Sequence, residues 1–139
     1  MWQHVENNAT VYRNKRIHYD YRIEDSFLAG ILLERKDIQR IRSHQGFDLS
    51  SALVRVENGE AWVHSDLYDE PRKIKLLLNR KEINRLEKHT RDGMRVLVEH
   101  AYFDFRGWLK LRLLVGKAMK KHDKREAIKE KDLRKDNND

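Results

Sequence analysis

The chain has 139 residues, 30 of them Lys or Arg against 23 Asp or Glu, for a formal net charge of +7. That length suits one domain with a modest core, and the lack of cysteine excludes a disulfide scaffold, thiol catalysis and cysteine-ligated metal. No apolar run approaches the roughly 18 residues of a membrane span, and residues 1–16 lack the apolar core of a secretory signal.

Residues 1–13 carry no usable periodicity and read as a flexible arm. From Tyr21 to Leu33 the composition is that of a strand, with a bend or bulge expected at Ala29-Gly30. Ile38 and Ile41 lie one helical turn apart among polar residues, which predicts a short amphipathic helix over 35–43. Ala52, Val54 and Val56 then alternate with Leu53, Arg55 and Glu57 before Asn58-Gly59 and a second run, EAWVHS. Asn-Gly supplies the positive φ angles of a two-residue turn, so this segment is a hairpin. Pro71 closes a short connection, and Leu76-Leu77-Leu78 reads as a buried strand or the lead-in to a helix. Asn79 can cap that helix with Glu82 reaching back, Ile83 and Leu86 face the core, and Gly93 ends it.

Two strands follow, over 94–104 and 107–116, joined around Arg106-Gly107. In the second, Leu109, Leu111, Leu113 and Val115 alternate with Trp108, Lys110, Arg112 and Leu114. Residues 117–139 hold too little apolar bulk for a core and predict a basic tail, disordered until it meets a partner. The expected organisation is thus an arm over 1–13, a barrel over 14–116 and a tail over 117–139. About six strands with two or three short helices give a mainly β fold, a small antiparallel OB-like β-barrel. Such barrels manage their edges by closure and bind RNA on their outer face.

The charge is uneven. Residues 72–91 contain eight basic and two acidic side chains, residues 117–139 nine and six, and the remainder 13 and 15. A polyanion partner fits this separation, while solubility alone also explains basic exposed helices. Lys75, Arg80, Lys81 and Arg85 would supply salt-dependent affinity for phosphates. The seven histidines show no pair at the i, i+3 or i, i+4 spacing of a helical metal site. His122-Asp123 lies in a hydrophilic segment with nothing to exclude water. There is no glycine-rich phosphate loop and no Gly-x-Ser-x-Gly, so neither an enzyme nor a cofactor is expected. Trp62, Tyr102, Phe103, Phe105 and Trp108 read as core or cross-strand residues ahead of base-stacking platforms. Tyr19 and Tyr21, beside Asn14-Lys15-Arg16, are better placed to stack on unpaired bases.

Several of these segments together resemble the small protein B family, the SsrA-binding proteins of bacterial trans-translation. The matching stretches are Asn14-Lys15-Arg16 with Asp20-Tyr21, Ala29-Gly30-Ile31, and the hairpin from Val54 to Glu60. They continue through Lys75–Leu86, Tyr102-Phe103 and His122–Lys129, in the family's order and over nearly the whole chain. The resemblance implies an oligonucleotide-binding-type barrel that grips the tRNA-like domain of transfer-messenger RNA (tmRNA). It also implies delivery with elongation factor Tu to stalled ribosomes, where the tail probes the empty mRNA channel of the small subunit against its rRNA. By position, Asn14, Leu77 and Lys110 match residues of the RNA face, and His122, Asp123, Lys124, Arg125 and Lys129 match the decoding-centre part of the tail. A cytoplasmic monomer without a membrane partner is expected. The chain departs from the family in carrying Leu28 where Glu is usual, in a connection cut to about Tyr68–Ile74, and in its acidic end, Asp136–Asp139. Two other readings use the same residues: a ribosome-associated OB-fold protein without tmRNA, and a protein-interaction module.

Overall fold

A computed structural model describes residues 10–43, 48–67 and 70–119. In chain order the elements are β1 (Thr10–Arg13), α1 (Ile17–Asp20), β2 (Tyr21–Ile31), α2 (Arg35–Arg42), β3 (Leu53–Glu57) and β4 (Glu60–Leu67). They continue with β5 (Glu70–Leu77), α3 (Arg80–Arg91), β6 (Arg95–Phe103) and β7 (Leu109–Ala118). The seven strands form one antiparallel sheet in the order β1-β6-β7-β2-β5-β4-β3. Among the described residues its two edge strands are not hydrogen-bonded to each other, so the sheet is not closed. It curls instead, bringing β3 against β6, with α3 lying against both. The expected OB-like architecture holds in this open form.

Period-2 alternation builds the core. Leu109, Leu111, Leu113 and Val115 of β7 are buried with Phe27 and Ala29 of β2 and Val96 and Val98 of β6. Helix α2 adds Ile41, and α3 adds Ile83 and Leu86. Asn79 accepts a hydrogen bond from the Glu82 amide at 2.8 Å, and Glu82 Oε1 accepts from the Asn79 amide at 3.0 Å, so α3 starts on a full capping box. The β3–β4 turn has positive φ at both Asn58 and Gly59, 51° and 75°, as the Asn-Gly pair requires.

Four expectations change. Thr10–Arg13 belongs to the sheet as β1, pairing with β6 through Thr10–Tyr102 and Arg13–His100; residues 1–9 of the expected arm lie outside the described residues. Val11 and Tyr12 both pack on the core, and an irregularity between Thr10 and Tyr12 hides their alternation. Pro71 sits inside β5 opposite Asp66, one residue after the strand begins, where a missing ladder donor is tolerated. Of the three leucines after it, Leu76 is buried and Leu77 is 51% exposed, because the strand alternates through them. Finally, the bulge of β2 lies between Ile23 and Asp25, not at Ala29-Gly30. Gly30 is instead the residue where β2 pairs with Lys110 of β7 on one side and Leu77 of β5 on the other.

Candidate nucleic-acid interface

With Leu109, Leu111 and Leu113 turned inward, the register sets Lys110 and Arg112 on the outer face of β7. Lys110 stands opposite Tyr102 of β6 and Gly30 of β2; Arg112 stands opposite His100 and Leu28. His100 in turn faces Arg13 of β1, and Gly30 faces Leu77 of β5. A Cβ at Gly30 would lie 3.3 Å from Leu77 Cβ and 3.7 Å from Lys110 Nζ, so glycine here lets those two side chains approach over it. Arg13, Lys110 and Arg112 form no ion pair with a described residue. Leu28, Leu77 and Trp108, at 44%, 51% and 61% exposure, lie on this side or at its rim. Unpaired cations beside exposed apolar side chains offer phosphate contacts and surfaces for ribose or base packing.

The turn from β1 into α1 joins this face. Asn14 donates its amide to the Glu99 carbonyl at 2.7 Å and accepts the Arg16 amide at Oδ1 at 3.0 Å, which fixes Asn14-Lys15-Arg16 against β6. A cleft of about 260 Å³ opens there, lined by Arg13, Asn14, Lys15, His18, Glu99 and His100. Arg16 pairs with Asp20 at 3.6 Å. The structure therefore brings Asn14, Lys15, Leu77 and Lys110 onto one side, spread across the strands from β1 to β5. Tyr21 lies away from Lys110 and Leu77, in a second cleft of about 330 Å³ that it lines with Asn14 and Arg16. It starts β2 opposite Ala118, and a Cβ at Gly116 would lie 2.9 Å from its own Cβ, so it packs across the far end of β7.

The basic segment 72–91 does not form a free stripe. Arg72 binds Asp37 through its two terminal guanidinium nitrogens, at 2.6 and 2.9 Å, with the carboxylate buried. Lys73 pairs with Glu57 and lies 4.6 Å over the Trp62 ring. Lys75 and Arg80 share Glu60, at 3.6 and 3.5 Å, and Arg80 also donates to the Gly59 carbonyl. Arg85 donates to Asp25 at 2.8 Å while stacking 4.4 Å from the Phe27 ring centre, and His89 reaches the same carboxylate at 2.9 Å. Burial pushes the Asp25 carboxyl up, but the hydrogen bonds from Arg85, His89 and the Ser26 amide outweigh it and hold it below the usual range. Of the four basic site candidates in this segment, Lys81 alone lacks a partner among the described residues.

Reading the sequence missed Arg13, His100 and Arg112. Arg112 was legible as the neighbour of Lys110 on the polar side of β7. His100 was not, because a bulge between Val98 and His100 shifts the alternation of β6. The tail residues His122, Asp123, Lys124, Arg125 and Lys129 lie outside the described residues. Among the described residues no helix is long and apolar enough to cross a membrane, and no three His, Asp or Glu side chains are grouped to hold a metal ion.

An open antiparallel barrel with unpaired cations and exposed apolar side chains on one outer face is a nucleic-acid-binding module of the oligonucleotide-binding type. The comparisons are more specific. A family model described as SmpB protein matches residues 11–139. The SsrA-binding protein of Sphingopyxis alaskensis is 36% identical over 143 residues, covering 94% of this chain and 88% of that protein. That of Fervidobacterium nodosum is 34% identical over 134 residues, covering 88% and 89%. A solved chain from work on tmRNA-SmpB at the centre of the bacterial ribosome superposes with a TM-score of 0.62 at 28% identity, covering 88% of this chain and 94% of that one. The chain belongs to the SmpB family.

Proposed function

We propose that this chain is the tmRNA-binding adaptor of trans-translation, gripping the tRNA-like domain with the outer face of β7 and bringing tmRNA to stalled ribosomes. Family membership supports the role, and one observation carries the placement: Lys110 and Leu77 meet over Gly30 beside Arg112, on a face whose cations have no acidic partner among the described residues. Lys110, Arg112 and Arg13 neutralise backbone phosphates, and Leu28, Leu77 and Trp108 pack on riboses or unstacked bases. Asn14 and Lys15 extend the contact from the neighbouring turn. Lys75, Arg80 and Arg85 contribute less than their charge suggests, since each must leave a carboxylate to meet a phosphate.

The strand boundaries support a division of labour. Lys117 and Ala118 still pair with Arg22 and Tyr21, and the Met119 amide donates to the Asp20 carbonyl at 3.0 Å. The barrel thus includes Lys117 to Met119, and the role assigned to the tail beyond them is on the ribosome, with His122, Asp123, Lys124, Arg125 and Lys129 at the decoding centre and elongation factor Tu in the delivered complex. Two assays test this: binding to a transcript of the tRNA-like domain of tmRNA, and peptide tagging on stalled ribosomes. Removing residues 120–139 is expected to leave the first near wild type and abolish the second. Loss of RNA binding on that truncation would refute the separation of duties, and absence of binding by the full chain would refute the role.

A further inference from the structure

In the cleft between β1, α1 and β6 one carboxylate holds two imidazoles. Glu99 Oε2 accepts from His18 Nε2, and Glu99 Oε1 accepts from His100 Nδ1 at 2.8 Å. A carboxylate only accepts, so each neutral ring spends its single N–H on Glu99. The Glu99 backbone carbonyl at the same time accepts the Asn14 amide. Glu99 thus anchors the Asn14-Lys15-Arg16 turn twice, through the main chain and through His18 on α1. Its side chain and that of His100 are 17% and 18% exposed, while His18 is 42% exposed and borders the opening. Burial pushes the Glu99 carboxyl up, and the hydrogen bonds from His18 and His100 outweigh it and hold it low.

The charges around this cluster are Arg13 from β1, Lys15 and Arg16 from the turn, Asp20 from α1 and Arg112 from β7. Asp20 is taken up by Arg16, so Glu99 is the acid that opposes the cleft's cations. We propose that Glu99 is a positioning residue for the RNA-contacting turn and that, through His18 and His100, it makes the cleft a proton-linked seat for an RNA phosphate. The inference rests on the adaptor reading above. Imidazoles gain charge between about pH 5 and 8. Protonation adds an N–H donor on the far nitrogen of each ring and converts the cleft from one carboxylate facing neutral rings to one carboxylate between two imidazolium ions. The excess of positive charge then faces the entering phosphate, and by linkage the bound phosphate favours the protonated rings.

The test is the affinity of the full chain for a transcript of the tRNA-like domain of tmRNA from about pH 6 to about pH 8 at constant ionic strength. Each proton taken up on binding changes the affinity by up to about tenfold per pH unit, so binding is expected to be about tenfold or more tighter at about pH 6 than at about pH 8. His18→Gln combined with His100→Gln should flatten the profile. Glu99→Gln should weaken binding across the whole range, because Gln offers one acceptor oxygen where Glu99 holds both His18 and His100. The imidazole Cε1–H resonances of the wild-type chain give the same answer with no variant: adding the transcript should raise the titration midpoints of both rings. A flat wild-type profile, a slope that survives loss of both histidines, or midpoints unmoved by RNA would overturn the inference and leave the adaptor reading intact. No binding at any pH would overturn both.

Discussion

Replacing Asp37 by Asn tests whether the fold depends on the buried ion pair that ties α2 to β5. Asp37 is 1% exposed and accepts from both terminal guanidinium nitrogens of Arg72, while its Oδ2 also accepts the Glu34 amide at 3.3 Å in the capping box that starts α2. Asn keeps the shape but offers one oxygen to three donors and turns an NH₂ toward a guanidinium or an amide. Removing one member of a buried pair costs about 3–5 kcal/mol. Arg72 is 24% exposed and can recover some hydration, so the lower end applies, about 3 kcal/mol. At about 4 °C per kcal/mol for a domain of this size the melting temperature should fall by about 12 °C. The Arg72 hydrogen bonds hold the Asp37 carboxyl below its usual range. A carboxyl lowered in the folded state contributes its stability above the unfolded pKa, near 4, and loses it as pH falls through the folded value. Urea unfolding at about pH 7 should therefore show the full deficit, and the gap between wild type and Asp37→Asn should narrow below about pH 4. Asp37→Leu with Arg72→Met should be far closer to wild type than Asp37→Asn, since paired apolar replacement leaves no stranded charge. A deficit under about 1 kcal/mol, or one that does not shrink in acid, would refute the reasoning.

Two further outcomes bear on the RNA face. Lys110→Gln with Arg112→Gln should lower the slope of log affinity against log salt by about 1.5, since each phosphate neutralised contributes about 0.7–0.9, with the thermal melt unchanged; an unchanged slope would place the phosphate contacts elsewhere. Gly30→Ala should cost about 1–3 kcal/mol of stability by overpacking, because its methyl group meets Leu77 Cβ at 3.3 Å. It should also weaken RNA binding by displacing Leu77 and Lys110, read by the same melt and binding assays; a variant as stable and as tight as wild type would show that the approach over Gly30 is not constrained.

What was legible in the sequence is what local chemistry dictates. Asn58-Gly59 has few backbone options, so the hairpin around it could be placed; Asn79 and Glu82 satisfy each other's amides within four residues, so the start of α3 could be placed. The leucine alternation of β7 likewise predicted both its buried row and the outward Lys110. What was hidden depends on partners far along the chain. The bulges at Ile23–Asp25 and Val98–His100 reset which side chains face outward, and neither has a glycine or proline to mark it. Strand β1 is too short for periodicity and exists because β6 offers it a ladder. Gly30 looked like a bend because glycine often is one; its actual constraint is lateral, from Leu77 on the neighbouring strand.

The charge pattern shows the same limit with a functional consequence. The eight basic side chains of 72–91 looked like an RNA-binding stripe, yet five of them meet Asp25, Asp37, Glu57 or Glu60, all supplied by the part of the chain whose acids outnumber its bases. The unpaired cations that share one face, Arg13, Lys110 and Arg112, belong to that slightly acidic part. Among the described residues, folding thus rearranges the linear map: it pairs off five of the eight basic side chains of 72–91 and sets Arg13, Lys110 and Arg112, from the acidic part, together on one face without acidic partners. Affinity for a phosphate backbone depends on cations that can give up solvent and counterions without first leaving a carboxylate. A chain of the same net charge with its strands in another register would keep the composition and lose the face.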